Sequence, residues 1–128
     1  MTVLLVGLAA TLVGCATGSN PVAVSDLKTV TGSWEGVVYP NSELDPFRVT
    51  LTIRDDGTYD VVSVSRQILG TSRGQGTVEL RDGRLIMQGE RGRGVGRVLK
   101  DRAGNLTMVV DATLSDNSTL SVQLSPSQ

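Results

Sequence analysis

The sequence predicts an all-β domain: an antiparallel up-and-down meander of about eight strands, closed into a small barrel. Three observations carry that expectation. Apolar and polar residues alternate with a period of two in one short segment after another, and no apolar stripe of helical period interrupts them. Turn residues recur at short intervals, at Asp56 with Gly57, Asp82 with Gly83, Gly89 to Gly92, Ala103 to Asn105 and Asp116 with Asn117. Aromatic residues make up only 3% of the 128, so Val, Leu, Ile and Met must fill the interior, and that composition leans toward sheet.

The strands follow in order. Residues 32–39 carry Trp34 and Val38 inward. Residues 47–54 give the clearest pattern, with Phe47, Val49, Leu51 and Ile53 on one face and Arg48, Thr50, Thr52 and Arg54 on the other. The Asp56–Gly57 turn sends the chain back through residues 58–66, with Tyr59 and Val61 inward. After a bend near Gly70 come residues 73–81 (Val78 and Leu80 inward), 84–89 (Leu85 and Met87), 94–100, 106–112 (Leu106, Met108 and Val110) and 119–124 (Leu120, Val122 and Leu124). Apart from the Pro40 to Pro46 loop the connections are short, which favours neighbours in sequence pairing in space. Closure into a barrel removes the edges that invite aggregation. Each fully buried large side chain contributes about 1.5–3 kcal/mol, so this set offsets much of the ordering entropy without a disulfide.

Ahead of the domain, Val3 to Val13 form an apolar run too short to cross a bilayer core of about 30 Å as a helix. It reads as the apolar region of a signal peptide, preceded only by Met1 and Thr2. It leads into Leu12, Val13, Gly14 and Cys15, which resembles the lipobox of bacterial lipoproteins. That resemblance implies cleavage between Gly14 and Cys15, a diacylglyceryl thioether on the Cys15 thiol, and a mature chain beginning at that residue. Acyl chains contribute about 0.8 kcal/mol per buried methylene, so several on one residue anchor it permanently. Ala16, rather than Asp, follows the cysteine, and in a host with two membranes this implies the outer membrane, facing the periplasm. The expected organisation is a signal peptide over 1–14, a lipidated flexible tether over 15–31 with a short helical turn near Ser25 to Lys28, and the β domain over 32–128.

The charge balance excludes some partners. Twelve Lys and Arg stand against thirteen Asp and Glu, a formal charge of −1, so the whole chain has no electrostatic pull toward nucleic acid, and stacking aromatics are scarce. The distribution is uneven: nine basic residues and four acids lie between Arg66 and Arg102. Arg73, Arg81, Arg84, Arg91, Arg93, Arg97, Lys100 and Arg102 fall on consecutive strands, and Arg91, Arg93, Arg97 and Lys100 are the candidate surface contacts for an envelope protein, anionic lipid or cell-wall polymer. Because Glu79, Asp82 and Glu90 are interleaved, an ordinary solvated face is the favoured reading of this set.

At the first strand, Gly32, Ser33 and Trp34 resemble the Gly-x-Trp signature of the lipocalins and their calycin relatives. The resemblance implies a barrel with Trp34 packed at its closed end and a cavity for a small apolar molecule. In that family an Arg from the last strand covers the tryptophan, whereas no basic residue follows Arg102 here. A Trp34 that serves simply as the largest core anchor is the other reading. Gly74 and Gly76, with Gly94 and Gly96, alternate with polar residues and put glycine on one face. An inward glycine face either leaves room for a ligand or lets strands curve closely together. Trp34, Gly74, Gly76, Gly94 and Gly96 are therefore the candidate cavity residues.

Catalysis is not expected. The chain has no His, and neither its Lys residues nor its carboxylates show a spacing that singles out a base or an acid pair. No cofactor or metal is expected either: Asp55 with Asp56, Asp101 with Asn105, and Asp111 with Asp116 read as turn chemistry. Two functions remain. One is a non-catalytic, membrane-anchored envelope lipoprotein acting through the outer surface of its barrel, and the other is a carrier of a small apolar ligand in the barrel interior.

Overall fold

The computed structural model describes residues 19–38, 46–65 and 70–127. Gly14, Cys15 and the rest of the signal and lipidation motif lie outside the described residues. Nine strands follow one another: β1 Ser19–Val22, β2 Gly32–Val38, β3 Phe47–Ile53, β4 Thr58–Ser65, β5 Gly70–Arg81, β6 Arg84–Gly89, β7 Gly92–Asp101, β8 Leu106–Leu114 and β9 Thr119–Pro126. From β2 to β9 each strand pairs antiparallel with the next, and β2 also pairs with β9 (Trp34 opposite Pro126, Gly36 opposite Leu124). The result is a closed eight-stranded up-and-down barrel with one extra strand, consistent with a small lipocalin-like barrel.

Every inward side chain expected from the alternation lies in the core or packs against it, from Trp34 and Val49 to Val122 and Leu124. Closure nevertheless needs places where neighbouring backbones nearly touch. At Gly36 a Cβ would stand 2.2 Å from the Gln123 carbonyl oxygen, and at Gly76 it would stand 2.1 Å from that of Gln88. Only glycine fits such corners.

Two of the hairpins at one end share one design. Beyond Ile53, the Arg54 carbonyl accepts from Gly57 N at 3.2 Å and Arg54 N donates to the Thr58 carbonyl at 2.9 Å. Asp101 and Asn105 repeat this around Gly104 in the β7–β8 turn. At the opposite end, Leu114 and Ser118 repeat it around Asn117 between β8 and β9. The aspartates serve the turns: Asp56 Oδ1 accepts from Thr58 N at 3.0 Å, Asp101 Oδ1 from Asn105 N at 2.9 Å, and Asp116 Oδ1 from Ser118 N at 2.9 Å. These bonds hold all three carboxyls below the usual carboxylate range; a side-chain bond from Thr58 dominates at Asp56, the Asn105 backbone at Asp101, and the Ser118 hydroxyl at Asp116.

The expectation of a flexible tether through residue 31 is corrected from Ser19 onward. β1 pairs with Val98–Asp101 of β7, on the edge that β6 occupies further along at Gly92–Gly96, so it continues the line of β6. Past β1, Val24 N donates to the Gly83 carbonyl at 3.1 Å, and Val24 is 3% exposed. Asp26 then caps a 3₁₀ turn, Leu27–Val30, by accepting from Lys28 N at 3.0 Å. Val30 is fully buried, and its carbonyl accepts the Trp34 indole N–H at 2.9 Å. Isolated valines among small polar residues thus plug one end of the barrel. The plug is part of the core.

Candidate functional site

With one end plugged, the described residues leave the barrel uncovered at the other, where the chain leaves β2, β4, β6 and β8. Inside that end lies a cavity of about 400 Å³, within the range of small-ligand pockets. Its walls are apolar: Val49 and Leu51 from β3, Tyr59 and Val61 from β4, Met87 from β6, Val110, Ala112 and Leu114 from β8, and Leu120, Val122 and Leu124 from β9. These are inward positions of their strands and mostly aliphatic; Phe47 and Tyr59 are the rings that line the cavity. Burial pushes the Tyr59 hydroxyl above its ordinary pKa, so it stays neutral at physiological pH.

Polar groups gather at the mouth. Ser63 and Ser72 are cross-strand partners on β4 and β5, and both line the cavity. β6 ends at Gly89, opposite Gly76, whereas β5 runs on to Gly70 paired with β4 alone, which leaves a step in the rim. Arg91, in the two-residue turn between β6 and β7, spans that step: Nη1 donates to Ser72 Oγ at 2.8 Å. Its carbonyl accepts from Ser115 N at 2.9 Å, which ties the turn to the β8–β9 hairpin.

The cavity residues expected from sequence divide by position. Gly74 and Gly94 line it. At Gly74 a Cβ would press on Val61 Cγ1 at 3.2 Å and lie in ordinary contact with Arg91 Cδ at 3.9 Å. Trp34, Gly76 and Gly96 do not line it, and this grouping is corrected. Trp34 belongs to the plugged end, Gly76 is a closure corner, and a Cβ at Gly96 would press on Leu85 at 3.2 Å. Alternation alone places Gly74, Gly76, Gly94 and Gly96 on one face; depth along the axis separates their tasks.

The basic surface set is dispersed. Arg91 is exposed at the mouth, where Arg73 and Arg93 also line the cavity. Arg97 pairs with Asp111 across β7 and β8 at 3.2 Å. Arg93 is exposed, and Lys100 is exposed nine residues beyond Arg91 near the plugged end, roughly 30 Å along a strand rising about 3.3 Å per residue. These four do not form one patch.

The sequence signal for Arg91 was available in Gly89 and Gly92, which bracket a two-residue turn; the continuing Arg–Gly alternation masked it. Tyr59, Ser63 and Ser72 were not distinguishable as cavity groups without knowing which barrel end is closed. Compared with known proteins, the chain matches no family model, no curated protein and no solved structure.

Proposed function

We propose that the protein is a non-catalytic carrier of a small apolar molecule, held at the bacterial cell envelope by lipid on Cys15. The observation that supports the carrier reading is the apolar cavity of about 400 Å³ that the described residues leave inside one end of the barrel. An interior designed only for stability would be filled, since protein cores pack to the density of organic crystals and unfilled volume costs stability. Action through the outer surface on an envelope protein, anionic lipid or cell-wall polymer has less support, because Arg97 is paired with Asp111, Arg91 lies at the mouth and Lys100 stands apart.

The anchor rests on the Leu12–Cys15 motif, and it has a consequence for orientation. β1 begins at Ser19, opposite Asp101 at the plugged end. The four residues from Cys15 reach at most about 14 Å fully extended. Lipid on Cys15 therefore holds the barrel by its plugged end, with the mouth turned away from the bilayer and open to the aqueous side.

Native mass spectrometry of protein purified from host membranes tests the carrier: a small adduct lost on denaturation is expected. Bare protein in every preparation, together with no saturable uptake of a neutral apolar fluorophore, overturns it. Acyl-chain labelling of wild type but not of Cys15→Ser is expected for the anchor, and an unmodified thiol in the wild type overturns that part.

A further inference from the structure

We infer that the ligand is a single-chain amphiphile with an anionic head, its chain inside the barrel and its head at Arg91. The inference rests on the carrier reading and assigns the chemical class of what is carried.

Three observations lead to it. First, the cavity is apolar along its depth and polar only at the mouth, so it matches a molecule whose polarity is confined to one end. Second, Arg91 is held at the mouth by a neutral partner, the Ser72 hydroxyl, and forms no ion pair among the described residues. Its stem lies over Gly74, directed from the turn toward Ser72, and Ser63 stands beside Ser72 on the next strand. A guanidinium so placed, with the Ser72 hydroxyl bonded to it and Ser63 on the paired strand, offers donors to a carboxylate or phosphate oxygen. Third, the one acid lining the mouth among the described residues, Asp116, has Oδ1 occupied by Ser118 N and by Ser118 Oγ at 2.5 Å, within its own hairpin. It does not neutralise Arg91, and its charge directs an anionic head to the Arg91 side.

Size limits the chain. At about 30 Å³ per non-hydrogen atom, the share of a water molecule in the liquid, a cavity of about 400 Å³ takes on the order of thirteen such atoms. A chain of about twelve carbons fits and two chains do not. Each methylene is expected to tighten binding about fourfold until the space is full.

The test is displacement of the neutral fluorophore N-phenyl-1-naphthylamine from delipidated full-length protein by dodecanoate, dodecyl phosphate and dodecan-1-ol, in wild type, Arg91→Gln and Arg91→Lys. Arg91 is exposed, so the fold is expected to survive, which thermal unfolding checks. The expected result is that at least one anion displaces the probe about tenfold more effectively than the alcohol in wild type. In Arg91→Gln that preference is lost, with the alcohol unchanged, and Arg91→Lys keeps most of it. Whichever anion is preferred identifies the head as carboxylate or phosphate. Equal displacement by acid, phosphate and alcohol in all three proteins overturns the inference while leaving the apolar carrier in place. Failure of the fluorophore to bind wild type at all removes the carrier reading itself.

Discussion

The Trp34 indole donates to the Val30 carbonyl at 2.9 Å, with both residues in the core and four positions apart in sequence. This bond joins the 3₁₀ plug to the first barrel strand. Trp34→Phe keeps an aromatic ring but leaves a buried carbonyl without its donor. Urea unfolding is expected to show a loss of about 2–3 kcal/mol, most of it from the unpaired group. A loss below about 0.5 kcal/mol would mean that the plug is held by packing alone.

Residues 19–31 are expected to behave as part of the fold. Limited proteolysis of the native protein should leave this stretch uncut, because Val24 and Val30 are in the core and β1 is paired with β7. Val30→Ala should cost about 2–3 kcal/mol and make the stretch cleavable. Rapid cutting between Ser19 and Thr31 in the wild type would restore the tether.

Two glycines on one face separate closure from cavity. Gly76→Ala forces a Cβ against the Gln88 carbonyl and should cost about 3 kcal/mol or more, since the obstacle is backbone. Gly74→Ala meets only the Val61 methyl and the Arg91 stem, and should change stability by less than about 1 kcal/mol while reducing the uptake of ligand at the mouth. Thermal unfolding of both variants checks the contrast, and equal losses would contradict it.

Acid should loosen the hairpins. Asp56, Asp101 and Asp116 have folded-state pKa values below their unfolded values, so their contribution is fully present above about pH 4–5 and is lost as pH falls through the folded values. Tyr59, shifted upward by burial, acts in the opposite direction: its contribution is present below the unfolded value of about 10 and declines as pH rises above it. Stability measured from pH 2 to 11 should therefore fall at both ends. In Asp56→Asn with Asp101→Asn and Asp116→Asn the acid limb should flatten, and an unchanged acid limb would assign it to other carboxylates.

How much of this was legible follows from what each residue signals to its neighbours. Phe47 to Ile53 announce a half-buried strand because every second residue is apolar, and the Asp56–Gly57 and Asp82–Gly83 pairs announce the reversals, so the meander and its inward faces can be read directly. Ser19–Val22 cannot, because Pro21 and two polar residues look like linker; as a short strand added beside the barrel, β1 tolerates a proline that a central strand would not. Val24 and Val30 carry no periodicity at all. β5 and β7 reach three and two residues further toward the mouth than expected, to Gly70 and Gly92, because glycine hides a strand from any propensity argument. The site needed the closed end, and the closed end needed Val30.

Ala112 points into the cavity from β8, opposite Gly94 and Leu120, where a larger side chain would occupy the space itself. Titration of N-phenyl-1-naphthylamine into wild type and Ala112→Phe, with thermal unfolding alongside, asks whether the interior is a binding site. Saturable one-to-one uptake by the wild type and its loss in a folded Ala112→Phe is the expected result. Uptake that is absent from the wild type, or equal in the two proteins, would show that the barrel interior carries nothing.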